Sequence, residues 1–401
     1  MKVLQINATY GYGSTGLIMR DIGDALRSSG NEAHFAYQSS KAPVENGYRI
    51  GNIVDWKAHA LLCRVFGKQG YYSKNATRIF LKHLDKIAPD VVHLHNLHSN
   101  YIDLNTLLKY LAKKNIPTVI TMHDCWYFTG KCFHYVDVKC SKFTSGCGNC
   151  PKKSAPPKSL IFDASAKVLK DRKKYLSAIP RLKIVGCSEW ICNEAKKGIM
   201  KGFDITSIRN GVDTDIFKSR DKHALKKKFG LEDKFVIMGM ANKWLLPENS
   251  NFLEKIMESL SENDKVVIVG CNDVHKTLLE KYSDRVVSVG FVTDRGKLAE
   301  YYAMSDVFVN VTHADTLPTV NMESICCGTP VVTYDSCGSP ELVLQGCGYV
   351  VPESDVDEII NKIELVKKEG CAGCAEIGKR SFDKKMCYEG YIDVYREIIK
   401  P

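Results

Sequence analysis

Two doubly wound α/β domains facing each other across a central cleft are the architecture this sequence predicts. Three observations carry the prediction. Short apolar, β-branched runs alternate with helix-length stretches through the first half of the chain. The same alternation restarts after a charged, apolar-poor stretch at residues 217–233. A length of 401 residues exceeds one ordinary core and suits two or three. Near-continuous apolar strands separated by helices mean parallel sheets covered on both faces, which bind ligands outside the carboxyl ends of their strands.

Residues 2–7 read as the first strand. Residues 15–28 read as a helix, with Leu17, Ile18, Ile22 and Leu26 at helical spacing and Gly30 just beyond its end. Strands follow at 32–37, 91–94, 117–122 and 182–187, with helices at 76–87 and 104–114 and another starting near Ser188. The second half repeats the pattern, with strands at 235–240, 265–270, 286–289, 307–310 and 330–334 and helices at 249–260, 298–304 and 322–327. Residues 388–399 read as an amphipathic helix. The expected domains are therefore 1–216, carrying a Cys-rich insertion at 125–157, and 217–385. A terminal segment, 386–401, is expected to pack back on the first domain.

Hydrophobic residues make up 44% of the chain and charged residues 25%, the balance of a globular protein. No apolar run approaches the roughly 20 residues that span a bilayer. The opening MKVLQINATYGYG reads as a buried strand rather than a signal peptide, so a cytoplasmic location is expected. The 16 cysteines are then mostly reduced thiols, buried or metal-bound. A formal net charge of +10, with basic runs such as residues 222–228, favours phosphate-rich or anionic-membrane partners, although a solvated helix face explains any single run. Basic stretches interleaved with stacking aromatics are lacking, so nucleic acid is not an expected partner.

The first motif is Gly11-Tyr12-Gly13-Ser14-Thr15-Gly16, between a strand and a helix. Small residues there let backbone amides at a helix start approach an anion. A dinucleotide reading would want a carboxylate at the end of the second strand. That strand ends His34-Phe35-Ala36-Tyr37-Gln38-Ser39-Ser40, so a loop over a phosphate or sugar fits better. The second motif runs from Asp315 through Leu317, Pro318 and Thr319 to Glu323, then Cys327-Gly328-Thr329-Pro330 and a strand. Two acids eight positions apart at a helix start can accept hydrogen bonds from sugar hydroxyls.

This second segment resembles the E-x7-E motif of retaining GT-B glycosyltransferases of family four, with Asp in place of the first Glu. Arg209-Asn210-Gly211-Val212-Asp213-Thr214-Asp215-Ile216-Phe217 is similar to that family's domain-crossover segment, with Gly211 expected at positive φ. The resemblance extends over nearly the whole chain. It includes Gly13-Ser14-Thr15-Gly16, His93-Leu94-His95-Asn96-Leu97-His98 and His123-Asp124-Cys125-Trp126, in the order of a bacterial surface-polysaccharide subfamily. It implies two Rossmann-like domains and transfer from a nucleotide-sugar donor to a saccharide acceptor, lipid-linked or oligosaccharide, with retention and no catalytic metal. The implied location is the cytoplasm, peripheral at the inner face of the membrane, in capsule or exopolysaccharide synthesis. Glu323 would hold the donor ribose, Asp315 the donor sugar, and His123 the sugar or reacting centre. Asn242, Lys243 and the amides around Leu317–Thr319 would hold the leaving diphosphate. Gly13–Gly16, His95, Asn96 and His98 would serve the acceptor side, in preference to a metal reading of the three histidines.

Two features stand apart from that pattern. The family's phosphate-binding Lys-Gly is replaced, by spacing, with Glu248-Asn249. A carboxylate beside a pyrophosphate is repulsive by about 1 kcal/mol or more. A catalytically weakened nucleotide-sugar-binding homologue, or a nucleotide-sugar epimerase on the same fold, are therefore the rival functions. Within the insertion, Cys132, Cys140 and the knuckle Cys147-Gly148-Asn149-Cys150 offer four thiols to a structural zinc, with free thiols in a compact loop as the alternative.

Overall fold

The computed structural model describes residues 1–400. The chain divides into two compact units: Met1–Arg209 with the chain from Lys385 onward, and Asn210–Lys384.

The first unit is built on seven strands: β1 (Lys2–Tyr10), β2 (Glu32–Ser40), β3 (Gly47–Arg49), β4 (Val91–Leu94), β5 (Thr118–Met122), β6 (Leu182–Gly186) and β7 (Ile205–Ser207). All pairs are parallel, in the order β3-β2-β1-β4-β5-β6-β7. The order reverses direction between β1 and β4, the switch point at which such sheets bind ligands. Register sets Gln5 opposite His93, and Thr121 of β5 is hydrogen-bonded to His93, so polar side chains from three central strands gather together. The helix Gly13–Ser28 buries Ile18, Met19, Ile22 and Leu26 against the sheet. The helix Lys384–Ile399 adds Tyr388, Tyr391 and Tyr395 to a core shared with Val3, Val91, Val119 and Val185.

The second unit has six parallel strands: β8 (Phe235–Met240), β9 (Asp264–Val269), β10 (Val286–Val289), β11 (Val307–Asn310), β12 (Val331–Tyr334) and β13 (Gly348–Val351). Their order is β10-β9-β8-β11-β12-β13, reversing between β8 and β11. Where the chain enters and leaves this unit, Val212 N donates to Phe382 O and Lys384 N to Val212 O. Gly211 is not at positive φ, contrary to the expectation from its motif. A β-carbon there would lie 2.3 Å from Lys384 Cα, so a close backbone approach, rather than a turn, requires glycine.

Several boundaries differ from the sequence reading. The helices expected at 15–28, 322–327 and 388–399 are Gly13–Ser28, Thr319–Cys326 and Lys384–Ile399. The helix Ile53–Phe66 had no counterpart in it, because its apolar residues lie on both sides instead of one. The three-residue strands β3 and β7 lack fully buried residues and carry no apolar run to find.

Candidate functional site

In the first unit, the turn after β1 places Tyr12 as the helix N-cap. Gly11 and Gly13 take φ of 72° and 66°, and Gly11 N donates to Gly16 O. Gly16 lies against Thr9, where a β-carbon would meet Oγ1 at 2.7 Å. Gly13 and Ser14 are exposed and Thr15 is half-buried. Asn7 joins this turn to the next strand end: its Nδ2 donates to Thr15 Oγ1 at 3.3 Å, and its Oδ1 accepts from Asn96 N at 3.1 Å.

Behind these groups the histidines form a buried layer. His93 is hydrogen-bonded to Tyr395 (2.6 Å) and to Thr121 (2.7 Å), and Thr121 Oγ1 also donates to the Tyr391 hydroxyl at 3.0 Å. His95 Nε2 meets Gln5 Oε1 and its Nδ1 meets His123 Nε2, both at 3.0 Å. Burial drives His93 and His95 well below the usual histidine range and His123 down to about 4. All three rings are therefore neutral at physiological pH. His98 instead pairs with Asp124 at 2.9 Å. Burial opposes ionisation of Asp124, but the His98 charge, its hydrogen bond and the amide of Trp126 hold the carboxyl below its ordinary value. Arg172, buried, lies 3.9 Å from the Trp126 ring centre and donates to the carbonyls of Trp126 and Thr129, fixing the loop that follows His123.

The insertion beyond is held mainly by side-chain-to-backbone bonds. Lys131 Nζ donates to the carbonyls of Lys152 and Ala155 at 2.6 and 2.7 Å. Burial and the neighbouring Cys150 push the Cys132 thiol up to about 12. Burial also raises Cys147, whose Sγ accepts from Gly130 N at 3.3 Å. Cys140 and Cys150 are half-buried, and none of the four is in a disulfide. Among the described residues no three His, Cys, Asp or Glu side chains are arranged to hold a metal ion.

In the second unit, Asn242 and Lys243 follow β8. Asn242 is exposed, while Lys243 Nζ reaches Thr312 Oγ1 at 2.9 Å beyond β11. Glu248 sits exposed on the single turn Pro247–Asn249. Buried Asn249 clamps that turn: its Nδ2 donates to Lys243 O and Val311 O, and its Oδ1 meets His313 Nε2 at 2.9 Å. Asp315 Oδ1 accepts from Leu317 N at 3.2 Å. Leu317's amide is thus taken and Pro318 has none. Asn321 N donates to Pro318 O, so within the expected stretch and the turn after it the amides of Thr319 and Val320 are the ones at the helix start suited to a diphosphate.

Glu323 lies on that helix. Burial raises its carboxyl to about 7, against the opposing pull of Arg295, 4.0 Å away, and of the Tyr302 hydroxyl at 3.4 Å. Arg295 is braced over the Phe217 ring, 5.0 Å from its centre, and Phe217 packs edge-on against Tyr302. Arg295, Tyr302 and Phe217 escaped the sequence reading as site residues. A lone Arg opening a helix carries no spacing signal, and Phe217 was visible only as the last residue of the crossover segment.

The chain matches the family described as "Glycosyltransferase Family 4" over residues 16–216 and "Glycosyl transferases group 1" over residues 232–368. It is 23% identical, over 99% of its length and 100% of the relative's, to the putative colanic acid biosynthesis glycosyl transferase WcaC of Escherichia coli K12. It is 27% identical to the capsular polysaccharide biosynthesis glycosyltransferase CapM of Staphylococcus aureus, over 48% of this chain and 54% of CapM. In fold it is similar to sucrose-phosphate synthase from Thermosynechococcus elongatus (TM-score 0.72, 15% identity, 99% and 98% coverage). It is also similar to Anabaena HepE in complex with UDP (TM-score 0.67, 16% identity, 99% and 100% coverage). Two parallel α/β units with acids at the end of β11, and matches that together span both, show that the chain belongs to Glycosyltransferase Family 4 and has the GT-B fold.

Proposed function

We propose that the protein transfers a sugar from a nucleotide-sugar donor to a lipid-linked or oligosaccharide acceptor, with retention at the anomeric carbon, in bacterial surface-polysaccharide synthesis. The observation that carries this reading is the arrangement beyond β11, where Asp315 caps its own turn and Glu323 lies half-buried between Arg295 and Tyr302. A semi-buried carboxylate beside a cation is suited to accept the two hydroxyls of a ribose. Asp315 would accept from donor-sugar hydroxyls. Lys243 and the first-turn amides of Thr319–Cys326 would stabilise charge on the departing nucleoside diphosphate, which makes the catalysis electrostatic and independent of a bound metal. His123, neutral, would offer a hydrogen bond at the sugar, with fully buried His95 orienting it from behind. Gly13–Gly16, Asn96 and His98 would meet the acceptor. The relatives' polysaccharide assignments and the UDP and UDP-glucose complexes of HepE support the reaction class.

The test is a donor screen with UDP-, GDP-, ADP- and dTDP-sugars, reading thermal shift and nucleoside diphosphate release together. One donor that stabilises the protein and releases its diphosphate faster with acceptor supports the transferase. Stabilisation with no turnover under any acceptor favours the second reading, a binding homologue with weakened catalysis, for which exposed Glu248 in place of a cation is the specific observation. We also propose a structural zinc on Cys132, Cys140, Cys147 and Cys150, supported by four thiols outside any disulfide within one loop and by the C-x2-C spacing of the last two. Metal content of the purified protein, and its loss in Cys147→Ser, decides it.

A further inference from the structure

Surface helices ordinarily turn their apolar stripe inward. The helix Ile53–Phe66 does the reverse. Its inward face is His59, Ala60 and Cys63, while Val54 is 70% exposed and Leu61 61% exposed, with Ile53, Leu62 and Phe66 also outward. The helix is well fixed: Asn52 and Asp55 form a reciprocal cap at its start, and Gly67 closes its end in the left-handed conformation. A second segment lies along it. Leu160 N donates to Arg64 O and Phe162 N to Val65 O, and the Phe162 ring stacks on Phe66 with centres 5.8 Å apart and planes 6° from parallel. Leu160, Ile161 and Phe162 are each more than half exposed. Two backbone hydrogen bonds and a ring stack thus hold large apolar side chains out into water, in a patch of a kind that marks an interaction site.

The charges around it are mainly positive: the one acid beside the 158–162 segment, Asp163, is engaged by the amides of Cys150 and Ser165. Lys57 and Arg64 run along one edge of the helix, Lys158 stands beside Leu160, and all three are exposed. The helix's single acid, Asp55, is occupied by its cap. Apolar side chains rimmed by cations match an anionic lipid surface, where the side chains enter the acyl boundary and the cations meet head groups. The patch also adjoins the candidate acceptor side of the same unit. Gln69, just past the helix, accepts from Trp126 Nε1 at 3.0 Å, and Trp126 follows His123-Asp124 in the loop after β5. Among the described residues no helix is long and apolar enough to cross a membrane, so a surface contact is the form a bilayer interaction through a helix would take.

We propose that the helix Ile53–Phe66 and residues 158–162 form the face that seats this protein on an anionic bilayer. This rests on the reading of the acceptor as lipid-linked. The partner is the lipid surface itself, recognised by apolar insertion plus positive charge and not by a specific head group.

The experiment is co-sedimentation of the full chain with phosphatidylglycerol-containing vesicles and with pure phosphatidylcholine vesicles, at low and high salt. The wild type should sediment with the anionic vesicles, and less so in high salt. Leu61→Glu/Phe162→Glu should reduce the bound fraction by about tenfold or more while leaving melting temperature and nucleoside diphosphate binding unchanged. If that pair fails to fold, Leu61→Ser/Phe162→Ser gives the same comparison with a smaller loss. Lys57→Gln/Arg64→Gln should weaken binding chiefly at low salt. Wild type remaining in the supernatant, or apolar-patch variants sedimenting like wild type, overturns the proposal. So does a wild-type dimer that these variants convert to monomer, since a second copy would then cover the patch. Transfer to a soluble acceptor is read separately, so loss of docking with turnover retained, and loss of turnover with docking retained, tell the two readings apart.

Discussion

Glu323 stands in for a site whose affinity should follow one proton. Its carboxyl, raised to about 7 by burial with Arg295 pulling the other way, is partly protonated near neutrality in the free protein. Ribose hydroxyls are donors and are held better by a carboxylate than by a carboxylic acid. Binding of a nucleoside diphosphate should therefore strengthen as the pH rises between about 6 and 8, with proton release on binding in the lower part of that range. In Glu323→Gln the dependence should flatten to whatever the nucleotide itself contributes. Calorimetric titration in buffers of different ionisation enthalpy reads both, and an equal slope in the two proteins would remove Glu323 from the ribose site. The stability sign runs opposite to that of a salt-bridged acid. With the folded value above the unfolded one, this group destabilises the free protein as pH rises from about 4.5 through 7. Glu323→Ala should lower turnover by about 100-fold or more with the melting temperature at neutral pH unlowered. At this scale the sequence was informative for acids at fixed spacing and silent about their support. Asp315 and Glu323 stood out by the seven residues between them. Arg295 is brought to Glu323 only by the packing of its helix, and Leu317's amide is removed from the donor set only by Asp315 folding back upon it.

The strand ends of the first unit act as one element. β1, β4 and β5 contribute Gln5, His93, His95, Thr121 and His123 to one hydrogen-bonded layer, because parallel register lays their polar positions side by side. His93, His95 and His123 are held below their unfolded value by burial. Such a base contributes stability in its neutral form, which is lost as pH falls through the unfolded value near 6.5. The first unit should lose stability on acidification from about pH 6.5 towards about pH 4, and His95→Asn should reduce that slope. Denaturant midpoints across this range check it, and a slope untouched by His95→Asn would assign the acid sensitivity elsewhere. A second element-scale expectation concerns Gly211, where Ala would press a methyl onto Lys384 Cα and cost about 1–3 kcal/mol of second-unit stability. Elements with a one-sided apolar pattern or a long buried run, such as β1, β8 and the helix Leu104–Lys114, were legible from the sequence. The helix Ile53–Phe66 was not, because its apolar side chains lie on both faces, large ones outward and Ala60 and Cys63 inward, which leaves no one-sided pattern to read.

At the scale of the molecule, the two units are closed in different ways. The second is continuous, and a parallel bridge between Val212 and Asp383 and an ion pair of 2.8 Å between Asp213 and Lys384 tie its ends together. The first is discontinuous: its sheet precedes the second unit and its last core element, the helix Lys384–Ile399, follows it. That helix brings in Tyr388, Tyr391 and Tyr395, all buried, and the hydroxyls of the last two bond to Thr121 and His93. Ending the chain after Lys384 should therefore strike one unit only. It would strip aromatic surface from the first core and leave His93 and Thr121 facing an opened cavity with fewer partners, a combination of lost apolar contact and unsatisfied polar groups. Calorimetry of the full and shortened chains should show the transition of the first unit lowered or abolished. The transition of the second should be unmoved, with nucleoside diphosphate binding retained, because Asp315, Glu323, Arg295 and Lys243 all belong to Asn210–Lys384. If both transitions fall together, the units do not unfold independently and the helix stabilises more than the core it enters. If nucleotide binding is lost while the second transition stands, a residue of the first unit is needed for the donor, and assigning donor binding to the second unit alone is wrong.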